Sequence, residues 1–196
     1  MRIADIDLNK EVMIVAEIGN NHEGSYSLAE DLIGLAAEAG AHAVKFETFI
    51  PEKLVSKTET ARIQQLKKYQ LSYEQFSDLK KVADRNNIIF ISTPFDIESA
   101  MFLDHLVPAF KIASGDNNFL PLIAAIAETT KPIMLSAGLT TIEEIKIVRP
   151  GTAMREGPII RARKSGPGAR WTQRPGARSP PLRRSEGPGT WSCRRA

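Results

Sequence analysis

Ala109-Phe110-Lys111-Ile112-Ala113-Ser114-Gly115-Asp116 is a short apolar run that ends in a burst of polar groups. The pattern predicts a buried strand whose exit carries chemistry. An ammonium inside an apolar run is costly unless it faces a partner or a bound anion, so Lys111 needs a reason to be there. Ser114 adds a hydroxyl, Gly115 permits close backbone approach, and Asp116 supplies a carboxylate.

Four other segments share this form of apolar strand, polar exit and amphipathic helix. The first strand spans 12–19, a continuous apolar run interrupted by Glu17 and followed by the polar loop Asn20-Asn21-His22-Glu23-Gly24. Continuous apolar runs are expected of strands covered on both faces. Ser27 and Glu30 have capping-box spacing, with Leu28, Leu32, Leu35, Ala36 and Ala39 as the buried helix face and Gly40 as the stop. The second strand, 43–48, carries Lys45 and Glu47 near its end. Residues 50–71 are less regular and predict a loop with a short helix using Ile63, Leu66 and Tyr69.

Ser72 and Gln75 cap a further helix that buries Phe76, Leu79, Val82 and Ala83 and ends at Asn86-Asn87. The third strand, 88–92, exits through Thr93-Pro94-Phe95, with Asp96 as the next cap and Ala100, Met101 and Leu103 as the buried face. Pro121 opens a helix that uses Leu122, Ile123 and Ile126. The fifth strand, 132–136, ends at Ser136 and Ala137-Gly138, and Thr141 with Glu144 caps a helix that has barely begun.

The pattern stops after Val148. Of the chain's 26 basic and 23 acidic residues, 149–196 hold twelve and two, leaving 14 and 21 in residues 1–148, a net of −7. Residues 149–196 contain only Ile159, Ile160 and Leu182 among the large aliphatics, beside seven Gly and seven Pro. That composition cannot offset the entropy of ordering, so the expected division is a partial barrel domain over 1–148 and a disordered Arg/Pro/Gly-rich tail over 149–196. The tail reads either as a basic arm for an acidic partner or as translation in a shifted frame. The break inside a βα unit favours the second. The single cysteine, Cys193, excludes a disulfide framework. The N-terminus lacks the pattern of a signal peptide, and no apolar run approaches the roughly 18 residues that span a bilayer. A soluble, cytoplasmic protein without membrane or nucleic-acid partners is expected.

Five successive strand–helix units predict an α/β fold with a parallel sheet. No Gly-x-Gly-x-x-Gly follows the first strand, so a dinucleotide fold is disfavoured. Polar groups at five successive exits fit an incomplete (β/α)8 TIM barrel. The candidate site residues are Glu17, Lys45, Glu47, Thr93, Lys111, Ser114, Asp116 and Ser136. Two lysines with converging hydroxyls suit a small phosphate or carboxylate ligand, and a carboxylate beside them could move a proton. The plainer alternative is that Lys45–Glu47 and Lys111–Asp116 are ion pairs at a sheet edge. His22 is a ligand or a base, or, as loop histidines more often are, a solvated or capping group; His42 and His105 carry no expected role, and no two histidines have metal-ligand spacing.

The motifs Ala16–Gly24, Val44–Thr48, Ser92–Phe95, Phe110–Gly115 and Leu135–Gly138 resemble those of the N-acetylneuraminate (sialic acid) synthase family, in the same order, from about Val12 to Ile145. The resemblance implies a barrel enzyme that condenses phosphoenolpyruvate with an N-acetylmannosamine-like aldose. The product would be a nine-carbon 2-keto sugar acid, with phosphate released by C–O cleavage. Lys45, Thr93, Lys111, Ser114 and Ser136 would hold phosphoenolpyruvate. Glu17 would be the catalytic acid/base or water-orienting carboxylate, and Glu47 and Asp116 would face the sugar. The family more often has Gln at the position of Glu47 and Glu at that of Asp116. A divalent metal, Mn or Mg, polarises the aldehyde in that scheme; its two histidine ligands come from later strands and have no counterpart here. The family also implies a homodimer and a C-terminal antifreeze-like domain. Two rivals remain: an inactive fragment or binding protein that keeps only the phosphoenolpyruvate-side residues, and a basic-tail protein that binds polyanions.

Overall fold

The computed structural model describes residues 1–138 together with Thr140, Thr141, Glu143 and Ile145, all within the first of two compact units, Met1–Lys164. The reading of 149–196 as a tail and the Thr141–Glu144 capping box lie outside the described residues.

A short antiparallel hairpin, β1 (Arg2–Ile3) and β2 (Ile6–Asp7), precedes five parallel strands. These are β3 (Val15–Gly19), β4 (Ala43–Thr48), β5 (Ile89–Pro94), β6 (Phe110–Ile112) and β7 (Ile133–Leu135), hydrogen-bonded in the order β3-β4-β5-β6-β7. A doubly wound sheet reverses its strand order at a switch point. Here every crossover steps to the next strand in the same direction, which is the winding of a barrel. The molecule is a partial (β/α)8 barrel.

The helices follow from local chemistry. In α1 (Tyr26–Glu38) the cap is Ser25, whose Oγ accepts from the Leu28 N–H at 3.3 Å. This corrects the Ser27/Glu30 capping box: Glu30 instead accepts from the Tyr26 hydroxyl at 3.2 Å. The buried face is corrected in part: Leu32 and Ala36 pack against the core as expected, but the fully buried positions are Ala29 and Ile33, and Leu28, Leu35 and Ala39 are exposed. Residues 50–71 form two helices, α2 (Pro51–Leu54) and α3 (Thr60–Tyr69), with Ile63 and Leu66 buried. The Ser72/Gln75 box does cap α4 (Tyr73–Arg85), which buries Phe76, Leu79, Val82 and Ala83 as its spacing predicts.

Asp96 caps α5 (Ile97–Leu103) through the Ser99 N–H at 2.9 Å, and its other oxygen accepts from the Ile50 N–H at 3.0 Å. One carboxylate thus ties the loop after β4 to the start of α5. Met101, expected in the core, is 67% exposed. Pro121 sits in the first turn of α6 (Leu120–Glu128), where a missing N–H costs nothing. The first strand is shorter than its apolar run: Val12 and Ile14 are exposed and precede β3, whose Ile18 and Val15 pack into the two opposite apolar clusters.

Two apolar layers flank the sheet. Outward-facing Val44, Phe46, Phe90, Phe110, Ile112, Ile133 and Leu135 meet the helices, with Phe46 stacked on Phe90 at 5.4 Å and edge-on to Phe76 at 6.3 Å. Each such fully buried side chain contributes about 1.5–3 kcal/mol. The inward face has its own small cluster of Ile3, Ala43, Ile91, Ala109 and Met134, with Val15 packed against it. The hairpin therefore plugs the N-terminal end of the barrel interior with Ile3.

Candidate active site

Side chains on one face of a strand recur every second residue. Advancing two residues from the inner apolar layer gives Glu17 from Val15, Lys45 from Ala43, Thr93 from Ile91, Lys111 from Ala109 and Ser136 from Met134. Five of the eight expected residues thus form a staggered polar layer on the inward face, each beyond the apolar residue of its own strand and toward the C-terminal ends of five adjacent strands. Glu47, two further along β4 and in register with Thr93, stands above them.

Contacts within this layer differ from a set of neighbouring ion pairs. Lys45 pairs with Glu17 across the β3–β4 register and donates to Thr93 Oγ1 at 3.4 Å on the other side. The Lys45 side chain is 12% exposed and that of Glu17 57%. Lys111 Nζ donates to Ser136 Oγ at 2.5 Å and to the Ile112 carbonyl at 2.7 Å. Neither lysine takes the partner that the edge-pair alternative gave it. Burial, with repulsion from Lys45 second, lowers the Lys111 pKa to about 8. Glu17, Glu47 and Asp116 oppose that shift by attraction.

The remaining residues line the same exits. Ser114 lies in the turn after β6, close enough to Gly138 that a Cβ there would meet its Oγ at 3.7 Å. Asp116 closes that turn through its N–H to the Ala113 carbonyl at 3.1 Å. Its Oδ2 is buried with no partner among the described residues, and burial raises its pKa. Burial likewise raises Glu47, with Lys45 opposing and Glu17 reinforcing the shift.

Two residues at these exits carried no sequence prediction. Asn20 donates its Nδ2 to Glu47 Oε2 at 2.6 Å, and Asn117 donates to the Ser136 carbonyl at 3.4 Å. The signal for Asn20 was present only as part of a polar loop. His22 is not at the surface: it is 1% exposed, its ring is tilted against Phe46, and its Nδ1 accepts from the Gly24 N–H at 3.1 Å. Burial holds it neutral by lowering its pKa. His42 orders the strand entries by accepting from the Ile14 N–H at 3.0 Å.

Among the described residues no three His, Cys, Asp or Glu side chains converge on a point where a metal ion would sit. The divalent metal implied by the family resemblance therefore does not fit the described residues. No helix among them is long and apolar enough to cross a membrane.

Two lysines and several hydroxyls gathered at the C-terminal strand ends of a barrel have the chemistry that suits a small anion. Comparison with known proteins gives the family. The model of the NeuB family matches residues 32–151, and the chain belongs to that family. It is 42% identical over 133 residues to the uncharacterized protein MJ1065 of Methanocaldococcus jannaschii, a match covering 67% of this chain and 39% of that protein. It is 37% identical over 151 residues to the N,N'-diacetyllegionaminic acid synthase of Campylobacter jejuni, covering 70% and 45%. A crystal structure of N-acetylneuraminic acid (sialic acid) synthetase from Leptospira borgpetersenii, in complex with citrate, superposes with a TM-score of 0.77 at 30% identity. That match covers 82% of this chain and 57% of the other. The chain spans less than half the length of these two curated relatives.

Proposed function

We propose that the polar layer is the phosphoenolpyruvate side of a sialic-acid-type synthase site. The protein would condense phosphoenolpyruvate with an N-acetylmannosamine-like aldose in the cytoplasm. The observation that carries this reading is the pairing of Lys45 and Lys111 in one layer with Thr93 and Ser136, each ammonium already hydrogen-bonded to a hydroxyl. Charge-assisted hydrogen bonds from two such centres suit a ligand with a phosphate and a carboxylate a few bonds apart.

In this reading Lys45, Thr93, Lys111, Ser114 and Ser136 hold phosphoenolpyruvate with C3 toward the aldose. C3 attacks the aldehyde carbon, forming the C–C bond as the aldehyde π pair moves onto its oxygen, which ends as a hydroxyl carrying one of the two protons of the water added next, and leaving positive charge at C2. Glu17 takes a proton from the water that adds there. The resulting tetrahedral centre expels phosphate by breaking its C2–O bond, and the remaining hydroxyl loses its proton to become the 2-keto group. Glu47 and Asp116 face the sugar.

Glu17 has a second part in this scheme. In the ligand-free protein it occupies Lys45, yet it is the more exposed partner. An incoming anion takes its place on Lys45 and frees the carboxylate for the water.

The test is incubation of the chain with phosphoenolpyruvate and N-acetylmannosamine, without and with added Mn2+, with phosphate and keto acid both measured. Equal yields of the two are the expected result. Phosphoenolpyruvate binding without phosphate release would support the binding-protein alternative, and no binding would sink both.

A further inference from the structure

We propose that Asn20 is a positioning residue that holds Glu47 as an ionised, acceptor-only wall of the cleft, so that the acceptor sugar must present a hydroxyl or amide N–H to it. This rests on the synthase reading for the identity of the ligand, but not for the hydrogen bond itself.

The backbone delivers Asn20 to this place by a specific device. Pairing between β3 and β4 shifts register after Glu17, from Glu17↔Lys45 to Gly19↔Phe46, so one residue bulges out. Gly19 then turns with φ +53, and a Cβ there would meet Glu17 Oε1 at 3.3 Å. A bulge followed by a left-handed glycine re-aims the chain, and the next side chain crosses to β4. Asn20 Nδ2 reaches Glu47 Oε2 at 2.6 Å, while Oδ1 stays buried with no partner among the described residues.

This contact decides what Glu47 offers. An amide N–H can donate only to an acceptor oxygen, which favours the carboxylate over the acid. The charged groups facing Glu47 are Lys45 on its own strand, Glu17 on β3 and Lys111 on β6. The lysines favour ionisation; Glu17 and burial oppose it. On balance burial outweighs the lysines and raises the Glu47 pKa, and the Asn20 amide N–H, donating to the same carboxyl, pulls the other way. Gln, common at this position in the family, would offer one donor and one acceptor. An ionised Glu47 held by Asn20 offers acceptors alone.

The test is a carbon-detected NMR titration of the Glu47 carboxyl in the full chain, with no substrate present and the resonance assigned through Glu47→Gln. Asn20→Ala removes the donor and is expected to raise the Glu47 midpoint by about one pH unit. Asn20→Leu, closer in volume, serves if the alanine variant folds poorly, and the same upward shift is expected. A fall would mean that protonated Glu47 donates to the amide oxygen, and an unchanged midpoint would make Asn20 structural only; either overturns the proposal. The titration needs neither phosphoenolpyruvate nor sugar. Its failure leaves the synthase reading standing, and loss of the synthase reading leaves a moved midpoint intact.

Discussion

Lys111 and Ser136 meet across the β6–β7 pair, with Nζ 2.5 Å from the serine hydroxyl. The two lie on adjacent strands, each two residues beyond an apolar residue that faces the barrel interior. This relationship converts a buried, otherwise unfavourable charge into the base of an anion site. Burial holds the Lys111 pKa near 8, close to the working pH of most cells.

Phosphoenolpyruvate affinity should therefore depend on pH. Below about pH 8 the free protein carries the ammonium, and above it the site increasingly starts neutral. A calorimetric series should show Kd flat at neutral pH and rising by up to tenfold per pH unit as pH climbs past 8, until the pKa of the bound form is reached. A Kd that stays flat across that range would place the anion elsewhere.

Glu17→Gln should strengthen phosphoenolpyruvate binding while abolishing turnover. The carboxylate competes with the ligand for Lys45, and the amide competes far less. An affinity gain of about two- to fivefold corresponds to losing a semi-exposed ion pair of up to about 1 kcal/mol. Weaker binding in this variant would mean that Glu17 orients Lys45 for the ligand rather than occupying it.

Gly24→Ala should be strongly destabilising. Gly24 has φ +82, and a Cβ there would stand 1.9 Å from the Lys68 carbonyl oxygen in α3. The loop after β3 rests against α3 through that backbone contact. A loss on the order of 3 kcal/mol is expected from combined clash and left-handed strain. Denaturant melts of the two proteins measure it, and a change under about 1 kcal/mol would mean that the loop re-seats freely.

Much of this site was legible because the cost of burying charge leaves a mark on the sequence. Lys111 and Lys45 interrupt apolar strands, and Thr93 and Ser136 follow them at strand exits, so the parallel pattern alone brought them together. Asn20 was not legible. Its role depends on the register shift after Glu17 and on the turn at Gly19, neither of which has a periodic signature.

The face of α1 was misread for a different reason. The expected face of Leu28, Leu32, Leu35, Ala36 and Ala39 lies one residue round the helix from the one centred on Ala29 and Ile33, and periodicity cannot choose between two adjacent apolar faces. Packing against β3 and β4 buries Ala29 and Ile33 and leaves Leu28 and Leu35 exposed. The hairpin at Arg2–Asp7 is too short for any period to register, although Ile3 becomes fully buried.

The central claim is that these strand ends form a phosphoenolpyruvate site built on Lys111. Its most direct test is the Kd for phosphoenolpyruvate of the Lys111→Met chain, which keeps the volume and removes the charge. Lys53→Met is the control, since Lys53 is surface-exposed and paired with Glu98 on α5. The account predicts at least a tenfold weaker Kd for Lys111→Met, an unchanged Kd for Lys53→Met, and folded proteins in both cases. Equal affinity in the Lys111→Met chain and the unaltered chain would contradict it.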